Sequence, residues 1–428
     1  MKKLWVFCLT VLTYQSYAQV KNDTFLKDLL THSGDSLLLA VLNNPAAFRY
    51  QIIYTQINRD KNNKPSFKNY YLNVDKDRYF NPASVVKMPL AFLSLEKLHR
   101  LHQPGINLNT TMLTDSAWSN QTIAHTDSTA ETGLPSVAQY IKKAFLISDN
   151  DAYNRMYEFI GQQTINRRLH EMGYPDIRIT RRFQRMTMDE NRHTNPIRFT
   201  DSKGNLLYEQ PMAYNTDSFD FSHINLMGNA HYDANDSLIN TPIDFTTANN
   251  FPLEDMRSIL QSVLFPQSVP VKQRFGLQKE DYAFLYRYLS QYPSETNYPK
   301  YDTSVYYDSY VKFFFRGNKQ PMPSYIRVFN KVGWAYGCLT DVSYIVDFKH
   351  KTEFMLAATL YVNSDGIMND NKYDYETIGW PFLYKLGQTI YQYELSREKK
   401  YLPNLATFKM HYQKREEDGR PAVKNADN

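Results

Sequence analysis

Hydrophobic positions recur in two rhythms along this chain. A helical rhythm runs through "FLKDLLTHSGDSLLLAVLNN" (25–44), with a break near Gly34. Runs rich in β-branched and aromatic residues follow in "YQIIYTQINRD" and "SFKNYYLNVD"; the polar turn "KNNKP" separates them, and they predict two paired strands. The helical rhythm returns from Asn81 to about His102, and again in "PSVAQYIKKAFLISDNDAYNRMYEFIG", which reads as two helices meeting at "SDN". Near the other end, "YIRVFNKVG", "CLTDVSYIVDF" and "TEFMLAATLYV" predict three strands with short turns, then a helix from about Tyr373 to Leu395. Strands at both ends of this order can pair only if the helical middle is a lobe inserted into one sheet. The segment 181–245 is polar and aromatic with little periodicity and predicts a long loop insertion. From "SREKK" onward the tail is charged and is expected to fray.

Composition narrows the class. Hydrophobic residues make up 42% and charged residues 22% of 428, enough apolar surface for a globular core. Residues 1–18 read as a secretory signal: Lys2 and Lys3, the apolar run "LWVFCLTVL", then Ser16 and Ala18 as the small residues before a cleavage site. The run is too short to span a bilayer and no later segment qualifies. A protein exported to the periplasm or beyond, with no stable membrane anchor, is expected. Cleavage lowers the net charge from +5 to +3, too mild and dispersed for a nucleic-acid partner. It also leaves Cys338 as the sole cysteine, so no intramolecular disulfide can form, and "YGCLTDVSYIVDF" reads as a strand that holds it as a small core residue. No His-x-His-x-Asp or His-Glu-x-x-His run and no Gly-rich phosphate loop occurs, so neither metal nor cofactor is expected. The domain plan is a signal over 1–18, one catalytic domain over 19–397, and a tail over 398–428.

One stretch carries more chemistry than a core helix needs. "FNPASVVKMPLAFL" sets Ser84 and Lys87 three residues apart among apolar neighbours. On a helix that spacing puts both side chains on one face, about 5–6 Å apart at Cβ. Asn81 suits an N-cap and Pro82 the first helical position, which places Ser84 in the first turn, where the helix dipole favours a developing anion. Burial of the helix would strip water from Lys87, favour its neutral form and let it act as a base toward the hydroxyl. Ser-x-x-Lys alone proves little, because it recurs at Ser94/Lys97, Ser309/Lys312 and Ser396/Lys399. A second element, "ISDND", places Ser148, Asp149 and Asn150 at a helix junction, where each would also serve as an ordinary N-cap. The third is Lys331 and Gly333 in "NKVGWAYG"; its copy at Lys385 and Gly387 lies inside the terminal helix.

In this order the three elements resemble the Ser-x-x-Lys, Ser-Asp-Asn and Lys-Thr-Gly signature of class A β-lactamases and penicillin-binding proteins. The likeness extends through "NPASVVKMPLAFLSLEKL" and "SVAQYIKKAFLISDNDAYNRMYEFIGQQTINRRLHEMGY" and covers roughly 45–180 and 246–395. It implies an α+β fold of the β-lactamase/transpeptidase-like type: an antiparallel sheet flanked by helices, with an inserted all-helical lobe and a cleft between them. It further implies that Ser84 is the nucleophile and that Lys87 takes or relays its proton. Ser148 would pass a proton to the leaving nitrogen, Asn150 would hold the substrate's amide side chain, and Lys331 would supply positive charge. Val332, Gly333 and Trp334 would border the substrate, with the backbone N–H groups of Ser84 and Trp334 forming an oxyanion hole.

Two departures qualify the resemblance. Val332 stands where the family has Thr or Ser, removing a hydroxyl from the substrate-binding strand. The Glu-x-x-Leu-Asn element that activates the deacylating water in class A enzymes is absent; "RRFQRMTMDENRHTNPIRF" offers Asp189 and Glu190 in its region. The leading expectation is an exported serine hydrolase that opens β-lactams through an acyl-enzyme on Ser84. The alternatives are a D,D-peptidase or penicillin-binding protein acting on D-Ala-D-Ala-like stem peptides, and a non-catalytic binder of cell-wall fragments. No oligomeric state is read from the sequence.

Overall fold

A computed structural model describes residues 19–425. The expected signal, 1–18, lies outside the described residues. Strands β1 (Gln51–Arg59) and β2 (Pro65–Leu72) form the anticipated hairpin, and β3 (Ile326–Ala335), β4 (Cys338–Asp347) and β5 (Thr352–Tyr361) form a meander. All pair antiparallel in one sheet of order β3-β4-β5-β1-β2. Because β1 pairs with β5, with Ile53 opposite Ala357, the chain between β2 and β3 leaves the sheet and returns to it. This is the expected α+β plan with an inserted lobe.

The helices follow from where apolar faces need cover. α1 (Thr24–Thr31) and α2 (Ser36–Leu42) break at Gly34, which adopts φ +67°, and Asp35 caps α2 through the N–H groups of Leu37 and Leu38. Inside the insertion lie α3 (Lys87–Leu101), α4 (Val137–Leu146), α5 (Asn150–Ile160), α6 (Gln162–Glu171), α7 (Leu253–Leu264) and α8 (Lys279–Ser290); α9 (Trp380–Ser396) closes the sheet. Side chains alternate across each strand. Phe354, Leu356 and Ala358 share one buried core with Leu26 and Leu38 of the N-terminal helices and Leu383, Leu386 and Ile390 of α9. Met355 and Ala357 join a larger core with α7 and the lobe helices α3, α4 and α5. Both faces are therefore dry, which is why the strands read as nearly unbroken apolar runs. Cys338 is buried in the lobe-side core, and burial raises its thiol to about 11, as a small core residue requires.

Three expectations need correction. The helix of Ser84 does not start on an Asn81 N-cap. Asn81 Oδ1 instead accepts from the Ala83 N–H at 2.8 Å, Ala83 takes φ +43°, and Ala83–Val86 form a 3₁₀ turn before α3 begins at Lys87. Segment 181–245 is not structureless: it holds a short helix, Met188–Arg192, and short strand pairs, among them Ile197–Thr200 with Leu206–Gln210. Its polarity reflects Asx turns and two-residue bridges, for which core periodicity gives no signal.

The tail does not fray in its described part. Phe408 is buried against Phe265, Tyr286, Phe329 and Tyr344, and Val423 exchanges backbone hydrogen bonds with Lys300 and Asp302. Leu405 is buried with it and Tyr412 lies under the Arg327 guanidinium at 3.8 Å, while most of the tail's charges face solvent. Phe408→Ala should lower unfolding free energy by about 3 kcal/mol in urea titration. A change within about 0.5 kcal/mol, the scale of an ordinary surface substitution, would show that the tail contributes no packing.

Candidate active site

Four elements converge beside the end of β3. Ser84 lies in the 3₁₀ turn, half-buried, and Lys87, one turn on, is fully buried. Lys87 Nζ donates to Ser84 Oγ at 2.9 Å, to Asn150 Oδ1 at 2.7 Å and to Ser148 Oγ at 3.3 Å, and also to the Ser148 carbonyl. Lys331 Nζ reaches the same hydroxyl, Ser148 Oγ, at 2.8 Å and the Val332 carbonyl at 2.8 Å. Ser148 holds φ +69°, a costly conformation for a residue with a Cβ; such strain persists only where surrounding structure imposes it. Asp149 takes the N-cap role, accepting from the Ala152 N–H at 2.7 Å, and so frees Ser148 and Asn150 for the cleft.

Strand alternation aims the third element. Lys331 lies on the lobe-facing side of β3 with Phe329, whereas Val328 and Val332 face α9. The Val332 side chain is fully buried in that far core, so the expected substrate contact through it does not exist. Gly333 is required sterically: a Cβ there would lie 2.5 Å from the Pro82 carbonyl oxygen and 2.9 Å from the Ser84 nitrogen. That close approach brings the Ser84 backbone beside the strand end that carries Trp334, as an oxyanion hole needs.

Burial, then the positive charges of Lys87 and Lys312, hold Lys331 well below the usual lysine range, against the pull of Asp341. Lys312 lies behind β3, with its amine on the Leu289 and Val328 carbonyls and on Asn330 Oδ1 at 2.7 Å. Burial pushes Lys312 down to about 7 and Asp341 up to about 6. The other Ser-x-x-Lys pairs separate in space. Ser94 Oγ donates to its own helix at Leu90 O, while Lys97 turns to Gln210 Oε1 at 2.5 Å. Lys399 bonds to the Glu394 carbonyl. In the Lys-x-Gly copy, Lys385 pairs with Asp35 and Gly387 packs on Phe314.

A cleft of about 580 Å³ opens over Ser84 and Asn150, bounded by segment 181–186, Ala248, Asn249 and segment 334–336. Among the described residues no carboxylate lines it. Glu190 closes a capping box with Thr187 and accepts from Ser119 and Asn120; these bonds, the Thr187 N–H first, hold it below the usual carboxylate range. Asp189 is exposed and accepts from Tyr214. Neither borders the cleft, so the structure places neither as the water-activating base. Among the residues of this segment that do border it is Gln184, whose amide donates to Asn120 O at 2.8 Å. Sequence reasoning missed Gln184, Arg181, Arg185 and Tyr336; the only signal was the basic density of "TRRFQR". Arg182 anchors the segment from below, buried on Glu158 at 3.1 Å and on the carbonyls of Glu190 and His193.

Residues 39–209, which include the Ser84–Lys87 pair and the Ser148–Asn150 junction, match the model described as the Beta-lactamase enzyme family. The match covers about two fifths of the chain. It supports a β-lactam-hydrolysing or related serine hydrolase. It is also similar to solved β-lactamases. The enzyme from Sphaerobacter thermophilus DSM 20745 is 14% identical over 83% of this chain and 95% of that one, with a TM-score of 0.42. The β-lactamase from Desulfarculus baarsii DSM 2075 is 14% identical over 87% and 99%, with a TM-score of 0.46, and that from Streptomyces albus G is 12% identical over 85% and 99%, at 0.44. No curated protein sequence matches the chain. Among the described residues no helix is long and apolar enough to cross a membrane.

Two outcomes test this geometry. Gly333→Ala should cut the rate of Ser84 acylation about 100-fold or more, with little change in circular dichroism, by prising the strand from the Ser84 turn; an unchanged rate would show that the approach is dispensable. Between about pH 7 and the ordinary 10.5, unfolded Lys312 holds a proton that the folded chain lacks, so this group makes stability rise with pH over that interval. Lys312→Met should flatten the rise in urea midpoint between about pH 7 and about pH 9. An unaltered slope would mean that Lys312 is charged in the folded state.

Proposed function

We propose that this protein is an exported serine enzyme of the class A β-lactamase type, acylated on Ser84 by β-lactams, with slow release of the acyl group. The observation that carries this reading is the convergence of Ser84, Lys87, Ser148 and Lys331, which together provide every group that acylation requires. Lys87 receives the Ser84 proton as Oγ attacks the lactam carbonyl carbon, and the new C–O bond leaves a tetrahedral oxyanion. The N–H groups of Ser84 and Trp334 stabilise that charge, each contributing about 10²–10³ in rate. The C–N bond then breaks, and the leaving nitrogen takes its proton from Ser148, which is resupplied through the two lysine amines it touches. Asn150 positions the acyl side chain. A pure binder of cell-wall fragments has no use for this constellation.

Release requires a base for water. With no carboxylate at the cleft, the acyl-enzyme is long-lived. This favours the second reading, a penicillin-binding D,D-peptidase in which a stem peptide ending in D-Ala-D-Ala is the natural acyl donor and a better nucleophile than water ends the cycle. Export, inferred from the leader-like first 18 residues, would bring the enzyme to either substrate.

A fluorescent penicillin should label the mature protein once and persist. Ser84→Ala should abolish labelling and Ser94→Ala retain it; labelling that survives the first substitution excludes Ser84. Gln184→Glu should shorten the acyl-enzyme lifetime about tenfold or more by supplying a base within the cleft, whereas Glu190→Ala and Asp189→Ala should leave it unchanged. Rapid turnover by the unmodified protein would instead reveal a base other than a cleft carboxylate.

A further inference from the structure

The charge of the cleft is one-sided. Segment 181–186 brings three arginines to it, and no aspartate or glutamate is among its lining residues. Arg182 is spent on the buried Glu158. Arg181 and Arg185 are exposed, and neither has a carboxylate within ion-pair distance among the described residues.

The backbone at Arg181 is fixed. The Arg181 N–H donates to Asn249 Oδ1 at 3.1 Å, its carbonyl accepts from the Tyr153 hydroxyl at 2.8 Å, and the Phe183 N–H donates to Asn154 Oδ1 at 2.8 Å. Arg181 is thus presented to the cleft from a fixed backbone, and Arg185 sits in a bend held on one side by the Gln184 amide on Asn120 O at 2.8 Å and on the other by the Asn191 amide on the Met186 carbonyl at 3.4 Å, which lowers the ordering cost of pairing them with an anion. Beyond Arg181 and Met186 lies a further recess of about 100 Å³, lined by Gln162, Thr180, Asn191, Met188, Phe219 and a further cation, Arg192, again with no carboxylate. A guanidinium fork facing an acid-free cleft recognises a planar carboxylate in preference to a neutral group.

We propose that the cleft takes acyl donors with a second carboxylate on the acyl side chain, seated on Arg181 and Arg185. The proposal rests on the acylation of Ser84 proposed above. The carboxylate next to the scissile bond belongs at the β3 side of the site; Arg181 and Arg185 lie on the separate segment next to Asn150, the residue assigned to the acyl side chain. A β-lactam with an anionic side chain and a stem peptide with a free side-chain carboxylate share this chemistry.

The test compares two penicillins that differ only in an α-carboxylate on the phenylacetyl side chain, and two D-Ala-D-Ala peptides that differ only in a free or amidated side carboxylate. Acylation rate constants are measured for the penicillins and D-alanine release for the peptides. The dianionic penicillin should react roughly fivefold faster, the scale of exposed ion pairs. The advantage should shrink as ionic strength rises from about 0.05 to about 0.5 M. Arg181→Gln with Arg185→Gln should bring the ratio near one, while Lys203→Gln, on an exposed turn outside the cleft, keeps it. The same preference in the peptide pair would extend the proposal to stem peptides, and its confinement to penicillins would fix the source as β-lactams. Equal rates for both penicillins, or a preference that survives loss of both arginines, overturns the proposal while acylation stands. Failure of every substrate to acylate Ser84 overturns both.

Discussion

The Ser148 hydroxyl accepts from two buried amines at once, and the architecture around the cleft serves to keep it there. Lys87 comes from the lobe and Lys331 from the sheet, so their common partner is the point at which the two halves of the molecule are joined. Burying an amine is expensive unless its protons find acceptors. The Ser148 carbonyl, Asn150 and the Val332 carbonyl supply them, which demands the left-handed backbone at Ser148 and its hand-over of helix capping to Asp149.

The same economy of polar groups extends behind the site. Lys312 and Asp341 occupy the far face of the sheet and share Asn330, which donates to Asp341 at 2.9 Å and accepts from Lys312. The positive charge there helps to push Lys331 toward its neutral form, so residues that never border the cleft bias the proton balance of one that does. On the lobe side the buried Arg182–Glu158 pair, joined by Arg155 at 2.9 Å, pins the segment that walls the cleft. Removing one partner of such a pair leaves an uncompensated buried charge, typically at a cost of about 3–5 kcal/mol. This polar cluster therefore sets where Arg181, Gln184 and Arg185 stand.

Acylation and release draw on different parts of the structure. In the proposed mechanism the acylating groups lie on the 3₁₀ turn and first residue of α3, on the junction before α5 and on β3, elements locked by the two hydrophobic cores. Release would depend on segment 181–190, and there the carboxylates point away. Glu190 is consumed in its own capping box and Asp189 faces solvent. A cleft that is basic on one wall and lacks a carboxylate favours the arrival of anionic acyl donors over the departure of their acyl groups.

The sheet strands, the helices and the Ser84–Lys87, Ser148–Asn150 and Lys331–Gly333 elements were legible in the sequence because each is a local pattern. Periodicity reports which face is buried, and three-residue spacings report what a helix turn or strand brings together. Which of four Ser-x-x-Lys pairs meets the other two elements was decided by tertiary structure: Ser94 and Lys97 have equal spacing but point to different partners, while Ser84 and Lys87 meet a junction 61 residues further on. The 3₁₀ start of the nucleophile segment, the outward turn of Val332 and the anchoring of the tail by Phe408 were likewise invisible locally. Each depends on what another part of the chain places against it: the Gly333 backbone against the Ser84 turn, α9 against the far sheet face, and an aromatic cluster drawn from α7, α8, β3 and β4. Local pattern determined the elements and the chemistry they carry. Long-range packing, where a single Cβ or a buried charge decides which backbone can approach which, determined where that chemistry is assembled and what charge its substrate meets.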